Sequence, residues 1–233
     1  MRAIDPATEE TTMSDDTTLV LTGLRSGYRI ETAGSCGLMR NSISARALVG
    51  YALTTETGKD GLPAFWRNQQ YHPGPDLAYG GIPQASPDCR VFALRPEPEA
   101  ATALDVLVFA DPQAKTAAQV AHYDRDIIAP LVAEAGSRPA AALGLTLGDV
   151  ANDDLSLYPA IKAATARLRT PWLHAAGNHD LDFDAGTDED SLRSFRNAFG
   201  PDTFAWEEAQ ASFIVLDDVS YRRGQRPAYV GGL

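Results

Sequence analysis

From residue 104 onward, short unbroken apolar runs alternate with longer stretches whose apolar residues recur every three or four positions. LDVLVFA at 104–110 is nearly continuous apolar and of strand length, which predicts a strand buried on both faces. Residues 114–135 place Val120, Ile127, Ile128 and Leu131 at helical spacing. The pattern then repeats: strand at 140–147, helix at 155–168, strand at 172–176, and a short helix at 191–199 closed by Gly200-Pro201. Strands separated by helices need crossover connections, which are right-handed as a rule, so a parallel sheet follows. Residues 203–206 and 212–216 succeed each other with no helix between them, predicting a hairpin-like pair added to that sheet.

The chain before Pro96 has a different texture. Residues 19–21, 46–53 and 90–94 lean to β structure and are separated by turn signals at Gly34, Gly58, Pro73-Gly74-Pro75 and Gly80-Gly81. Alternation is poor between 26 and 44, so an irregular arm competes with a small β domain as the reading of this part. The segment RPEPEAAT marks the change, giving a small β-rich region over 1–100 and an α/β domain over 101–233.

Composition sharpens this picture without changing it. The 233 residues are 44% hydrophobic, enough for a buried core. Twenty basic against 31 acidic residues give a net charge of −11, which excludes a general nucleic-acid-binding surface, although nucleic acid remains admissible as a substrate. No apolar run approaches the ~20 residues a bilayer crossing needs, so no membrane partner is expected. The start lacks a basic segment leading into an apolar one, so no secretory signal is read and the cytoplasm is the default location. Cys36 and Cys89 are too few for a disulfide scaffold or a thiolate metal site.

Chemistry gathers immediately after the strands. The first predicted strand ends in Asp111-Pro112-Gln113, the second in Gly148-Asp149 followed by Asn152 and Asp153, the third in Gly177-Asn178-His179-Asp180. In a parallel sheet these carboxyl ends share one edge, where open α/β proteins bind ligands. Each piece alone is ordinary turn chemistry, but three at successive strand ends converge oxygen and nitrogen donors on one cleft. Carboxylates brought close repel unless a cation lies between them, so a divalent metal is the simplest neutraliser. His72, His122 and His174 lack that support and read as structural. The acidic run 180–190 reads as a solvated loop beside the cleft, with only Asp180 placed at the site.

DPQ, GDVAND and GNHD resemble, in order and spacing, the D-x-H, G-D-x-x-[DN] and G-N-H-[DE] blocks of the calcineurin-like metallophosphoesterases. LVFADPQ, GLTLGDVANDDLSLYP, AAGNHDLDF and FIVLDDVSY extend the likeness to a bacterial branch with an amino-terminal β domain, whose end GLPAFWRN and YGGIP resemble. The resemblance implies an α/β fold of αββα sandwich type, partial here, and phosphoester hydrolysis by water activated at two divalent ions: manganese, iron, magnesium or zinc. Asp149 would bridge both ions, Asp111 and Gln113 would hold the first, and Asn178 the second. His179 would act on the transition state with Asp180 fixing its tautomer, while Asn152 would stand behind the ligands. The substrate would be a phosphorylated small molecule or nucleotide, reacting as a phosphodiester, phosphomonoester or nucleotide pyrophosphate. Oligomeric state stays open. Two departures stand out: Gln113 replaces a histidine, which softens any preference for zinc, and the later isolated His and G-H-x-H block have no counterpart. The chain therefore reads as the amino-terminal part of a longer phosphoesterase, and the alternative is an inactive metal-binding or interaction protein of the same fold.

Overall fold

The computed structural model describes seven short strands before residue 100, together with residues 55, 75–79, 103–137, 141–208 and 210–231. Two compact units result, one of Met1–Pro73, Pro83–Thr102 and Ala205–Phe213, the other of Gly74–Ile82, Ala103–Phe204 and Ile214–Leu233. Residues 74–82 group with the α/β unit and 205–213 with the β unit.

In the first unit the strands are β1 (Arg2–Ile4), β2 (Thr11–Met13), β3 (Arg29–Glu31), β4 (Ser42–Ser44), β5 (Tyr51–Leu53), β6 (Trp66–Asn68) and β7 (Val91–Pro96). Five form an antiparallel sheet in the order β2-β1-β3-β7-β5, and β4 pairs with β6. The expected strands at 46–53 and 90–94 correspond to β5 and β7, whereas 19–21 lies outside the described residues. β3 falls in the stretch of poor alternation. Its place comes from pairing on both sides, Ala3 opposite Ile30 and Ile30 opposite Phe92, which local periodicity does not reveal.

The second unit holds β8 (Val106–Ala110), β9 (Leu143–Leu147) and β10 (Trp172–Ala175), all parallel, with β9 in the middle. Between β8 and β9 the expected helix is three pieces: α1 (Ala117–Tyr123), a π turn over Asp124–Ile128, and α2 (Ala129–Ala133). Thr116 caps α1 by accepting from Gln119 N. The π turn precedes Pro130, which has no N–H to continue an i−4 ladder, and there the Ala129 N–H reaches back to Asp124 O instead. A 3₁₀ turn at Leu155–Leu157 leads into α3 (Tyr158–Ala166), started by Pro159, and α4 (Arg193–Phe199) follows β10. Of the remaining strands, β13 (Val219–Tyr221) pairs with β14 (Tyr229–Gly231) in this unit, and β11 (Phe204–Glu207) pairs with β12 (Ser212–Val215) mostly within the 205–213 segment of the first unit. The β11–β12 pair, closed by Glu208 N–H to Ala211 O, forms its own two-stranded sheet and does not extend the parallel one.

One face of the parallel sheet carries the core. Phe109, Thr146, Trp172 and His174 share it, with Phe109 opposite Thr146 and His174 in register with Thr146. Phe109 packs edge-on against Tyr123 of α1, and His174 lies over Phe199 of α4 at 4.1 Å between ring centroids. Tyr123 and Thr165 hydroxyls join α1 to α3 at 3.2 Å. Gly144 of β9 is dictated by Trp172: a Cβ there would overlap the indole ring, whose Nε1 donates to Thr146 Oγ1 at 2.9 Å. The other face is covered only in part, Leu143 and Leu173 being buried while its carboxyl end is open. Val108 and Leu147 are 51% and 50% exposed, so β8 is covered on one side only, against the expectation of burial on both.

His174 gives this core a pH dependence. Complete burial, aided by the Lys162 charge, pushes its imidazole down to about 3, and its Nδ1 has no hydrogen-bond partner among the described residues. The folded state thus prefers neutral His174, a contribution fully present above the unfolded value near 6.5 and lost as pH falls from there toward 3. Each pH unit in that window costs roughly 1.4 kcal/mol. Between pH 6.5 and 5, His174→Leu should lose about 2 kcal/mol less stability than the parent, read by denaturant unfolding at each pH. Equal losses would contradict the assignment.

Candidate functional site

The carboxyl ends of β8, β9 and β10 run into three loops, and the backbones of the first two are unusual in the same way. Asp111, Gln113, Asp149 and Asp153 have φ of 47°, 43°, 44° and 66°, the left-handed region that non-glycine residues seldom enter. Aspartate tolerates it through its short polar side chain, but Gln113 has no such excuse, and each such residue costs about 1–3 kcal/mol that surrounding structure must hold in place.

That structure is a set of links between loops. Gln113 N–H donates to Asp149 O at 2.9 Å, Asn152 N–H to Ala114 O at 3.1 Å, and Ala114 bridges to Ala151. Across the other gap, Asp153 N–H donates to His179 O at 3.1 Å, and His179 N–H to Asp149 Oδ1 at 3.0 Å. The buried Asp149 carboxylate is therefore held on both sides, since its Oδ2 accepts from Gln113 Nε2. Gly177 permits this approach: a Cβ on it would overlap Asp149 Oδ1 and N.

Asp180 is corrected by the structure. Its carboxylate is fully buried and turned away from the His179 ring, accepting from Val150 N (3.1 Å), Ala151 N (3.3 Å), Gly177 N (2.9 Å) and Tyr158 Oη (2.8 Å). Burial raises it to about 6, the donated hydrogen bonds opposing that rise. Tyr158 is pushed well up by its own burial and then by the Asp180 charge. Asp180 is thus a clamp between the second and third loops and cannot set the His179 tautomer. Asp153 meets that ring instead, its Oδ1 at 2.7 Å from His179 Nδ1. The sequence carried a signal for it, an acid directly after Asn152 in GDVANDD, but the turn that aims it depends on its positive φ.

The acidic run is solvated only in part, with Asp184, Asp188 and Glu189 exposed. Leu181 and Asp182 are fully buried, and Asp182 accepts from both N and Oγ of Ser194 at the start of α4. Asp184 accepts from Ala78 N at 2.8 Å, Asp190 pairs with Arg193, and Asp188 accepts from Tyr221 N. These carboxylates are spent on folding the loop.

Asp149, Gln113, His179 and Asp153 are thus linked directly. The side chains of Asp111, Asn152 and Asn178 flank them in sequence but make no hydrogen bond among the described residues. Among the described residues no three or more His, Cys, Asp or Glu cluster as a metal site. The available donors are two carboxylates, Asp111 and Asp149, with the amide oxygens of Gln113 and Asn178. That set suits one hard divalent ion, for which oxygen ligands suffice, and supplies no complete second set. The Gln113 amide, which now gives its NH₂ to Asp149, would turn over to offer its oxygen.

No family model and no curated protein matches the chain. Among solved structures it is similar to a purple acid phosphatase isolated from yellow lupin (Lupinus luteus) seeds, at 14% identity and a TM-score of 0.37. The match covers 59% of this chain and 29% of that one, so the chain spans less than a third of that protein's length.

The two aspartates should separate cleanly on mutation. Asp180→Ala strands three buried N–H donors and a phenol, so unfolding should cost at least about 3 kcal/mol less than in the parent. Asp153→Asn, which removes the charge of an exposed carboxylate but keeps a residue that tolerates the left-handed turn, should stay within about 0.5 kcal/mol of the parent. Denaturant midpoints measure both, and similar values would contradict the assigned roles.

Proposed function

We propose that the chain is a metal-dependent phosphoester hydrolase of the calcineurin-like type, acting on a phosphodiester, phosphomonoester or nucleotide pyrophosphate. The observation that carries this reading is the network around Asp149: two loops held by left-handed residues, and a third packed against them at Gly177, lock one buried carboxylate beside Gln113, with a paired His179–Asp153 on the adjoining turn. Backbone strain of this kind, concentrated in one place, belongs to sites where geometry matters more than stability.

Asp111, Asp149, Gln113 and Asn178 would hold a first divalent ion, and a second would share Asp149. Bound metal supplies Lewis-acid polarisation of the phosphoryl oxygen and lowers the pKa of a coordinated water toward 7. The chain's own contributions are positional. Asp149 brings a buried negative charge whose two oxygens are already aligned by His179 N–H and Gln113. A carboxylate at His179 Nδ1 accepts its hydrogen, so Nε2 is the nitrogen left to exchange a proton with the leaving oxygen. Asp153 also steadies the imidazolium formed when Nε2 is charged. Strain at Asp111 and Gln113 points their side chains from a backbone that has few alternatives, which limits reorganisation during reaction.

A second reading, metal binding without turnover, is favoured by the short donor set among the described residues. Manganese titration and hydrolysis of a generic phosphodiester distinguish the two. Asp149→Asn should abolish both metal binding and hydrolysis while unfolding stays cooperative. His179→Ala should keep the metal and lose about 10²–10⁴ in rate. Asp153→Ala should lose roughly 10–100-fold in kcat with metal affinity unchanged. Metal bound by the parent with no turnover would select the second reading, and unchanged manganese stoichiometry in Asp149→Asn would overturn the site itself.

A further inference from the structure

The β13–β14 hairpin carries Arg222, Arg223 and Arg226 within five positions, in a chain whose net charge is −11. Four arginines elsewhere in the α/β unit are neutralised locally, Arg125 by Asp126, Arg167 by Asp124, Arg193 by Asp190 and Arg196 by Asp202, while Arg169 is exposed and makes no ion pair among the described residues. The three hairpin guanidinium groups are exposed and make no ion pair among the described residues. The turn that carries them is ordered by its own backbone, with Arg222 N–H donating to Ala228 O at 2.6 Å and Gln225 N–H to Arg222 O at 3.1 Å.

The hairpin is also fastened to the segment that leaves the candidate site. Tyr221, next to Arg222, donates its hydroxyl to Phe183 O at 2.8 Å and its N–H to the Asp188 carboxylate, and its ring meets that of Phe183 at 6.4 Å. Phe183 stands four residues after His179. A cationic tip anchored in this way keeps a fixed relation to the third loop. Like-charged guanidinium groups held together repel, and a multiply charged anion relieves that repulsion with paired N–H forks that match phosphate oxygens.

We propose that the turn bearing Arg222, Arg223 and Arg226 binds a multiply charged phosphate group and, resting on the phosphoester reading, takes the second phosphate of the substrate. Substrates with two or more phosphates are then preferred over those with one. The acidic composition excludes a general polyanion surface, whereas this tip is a local exception of the size of a single phosphate chain.

The test uses the full chain freed of metal by a chelator, so that binding at the hairpin is read without any contribution from bound metal. Inorganic tripolyphosphate should bind by calorimetry at least ten times more tightly than orthophosphate, and R222Q/R223Q/R226Q should lose at least tenfold in tripolyphosphate affinity. Equal affinity in parent and variant, or no preference for tripolyphosphate, overturns the proposal. With manganese present, the variant should raise KM for a nucleoside diphosphate about tenfold at unchanged kcat and leave p-nitrophenyl phosphate kinetics alone. An unchanged diphosphate KM in an active enzyme would overturn the substrate role. Tight tripolyphosphate binding with no hydrolysis of any substrate would refute the phosphoester reading and keep the anion site.

Discussion

The distance between the loops after β9 and β10 governs everything built at this sheet edge, and it is set where Gly177 lies against Asp149. No side chain fits between them. Because the backbones close to this distance, His179 N–H reaches the Asp149 carboxylate and Asp153 N–H reaches His179 O. Asp180 then clamps the same two loops from beneath by taking three backbone N–H groups. Left-handed residues in the first and second loops persist because these links leave them no relaxed alternative.

Two aspartates close to His179 serve opposite ends, and burial decides which does which. Asp180 is fully enclosed and its oxygens are consumed by backbone and Tyr158, so it is part of the scaffold. Asp153 is exposed and faces the imidazole. A carboxylate that must interact with a reacting group gains from keeping solvent access, whereas one that only organises backbone gains from losing it. The same logic separates Asp182, spent on capping α4, from the exposed carboxylate of Asp111, which has no partner among the described residues.

Much of the α/β unit was legible because its strands are apolar and its connections helical. β8, β9 and β10 fall inside the runs at 104–110, 140–147 and 172–176, trimmed by up to three residues at the ends. The convergence of Asp149, Gln113 and His179 followed from sheet direction alone. What sequence could not give was orientation. Asp153 rather than Asp180 meets His179 because of a left-handed turn and a buried backbone cradle, neither encoded in residue type. The acidic run looked solvated throughout because charge is a poor guide to burial when N–H donors from α4 and β13 are waiting to receive it. Val108 was expected inside because an apolar run cannot say whether the second face is covered.

The account stands on one location, the surroundings of Asp149 and Gln113, where Asp111 and Asn178 are proposed to complete a donor set. Manganese-soaked crystals examined by anomalous X-ray diffraction would locate bound ions directly. The account predicts an anomalous peak within coordination distance of an Asp149 oxygen, with the Gln113 amide turned to present its oxygen and the His179–Asp153 contact unchanged. A peak confined to the acidic residues 182–190, or no peak with Gln113 still donating to Asp149, would contradict it.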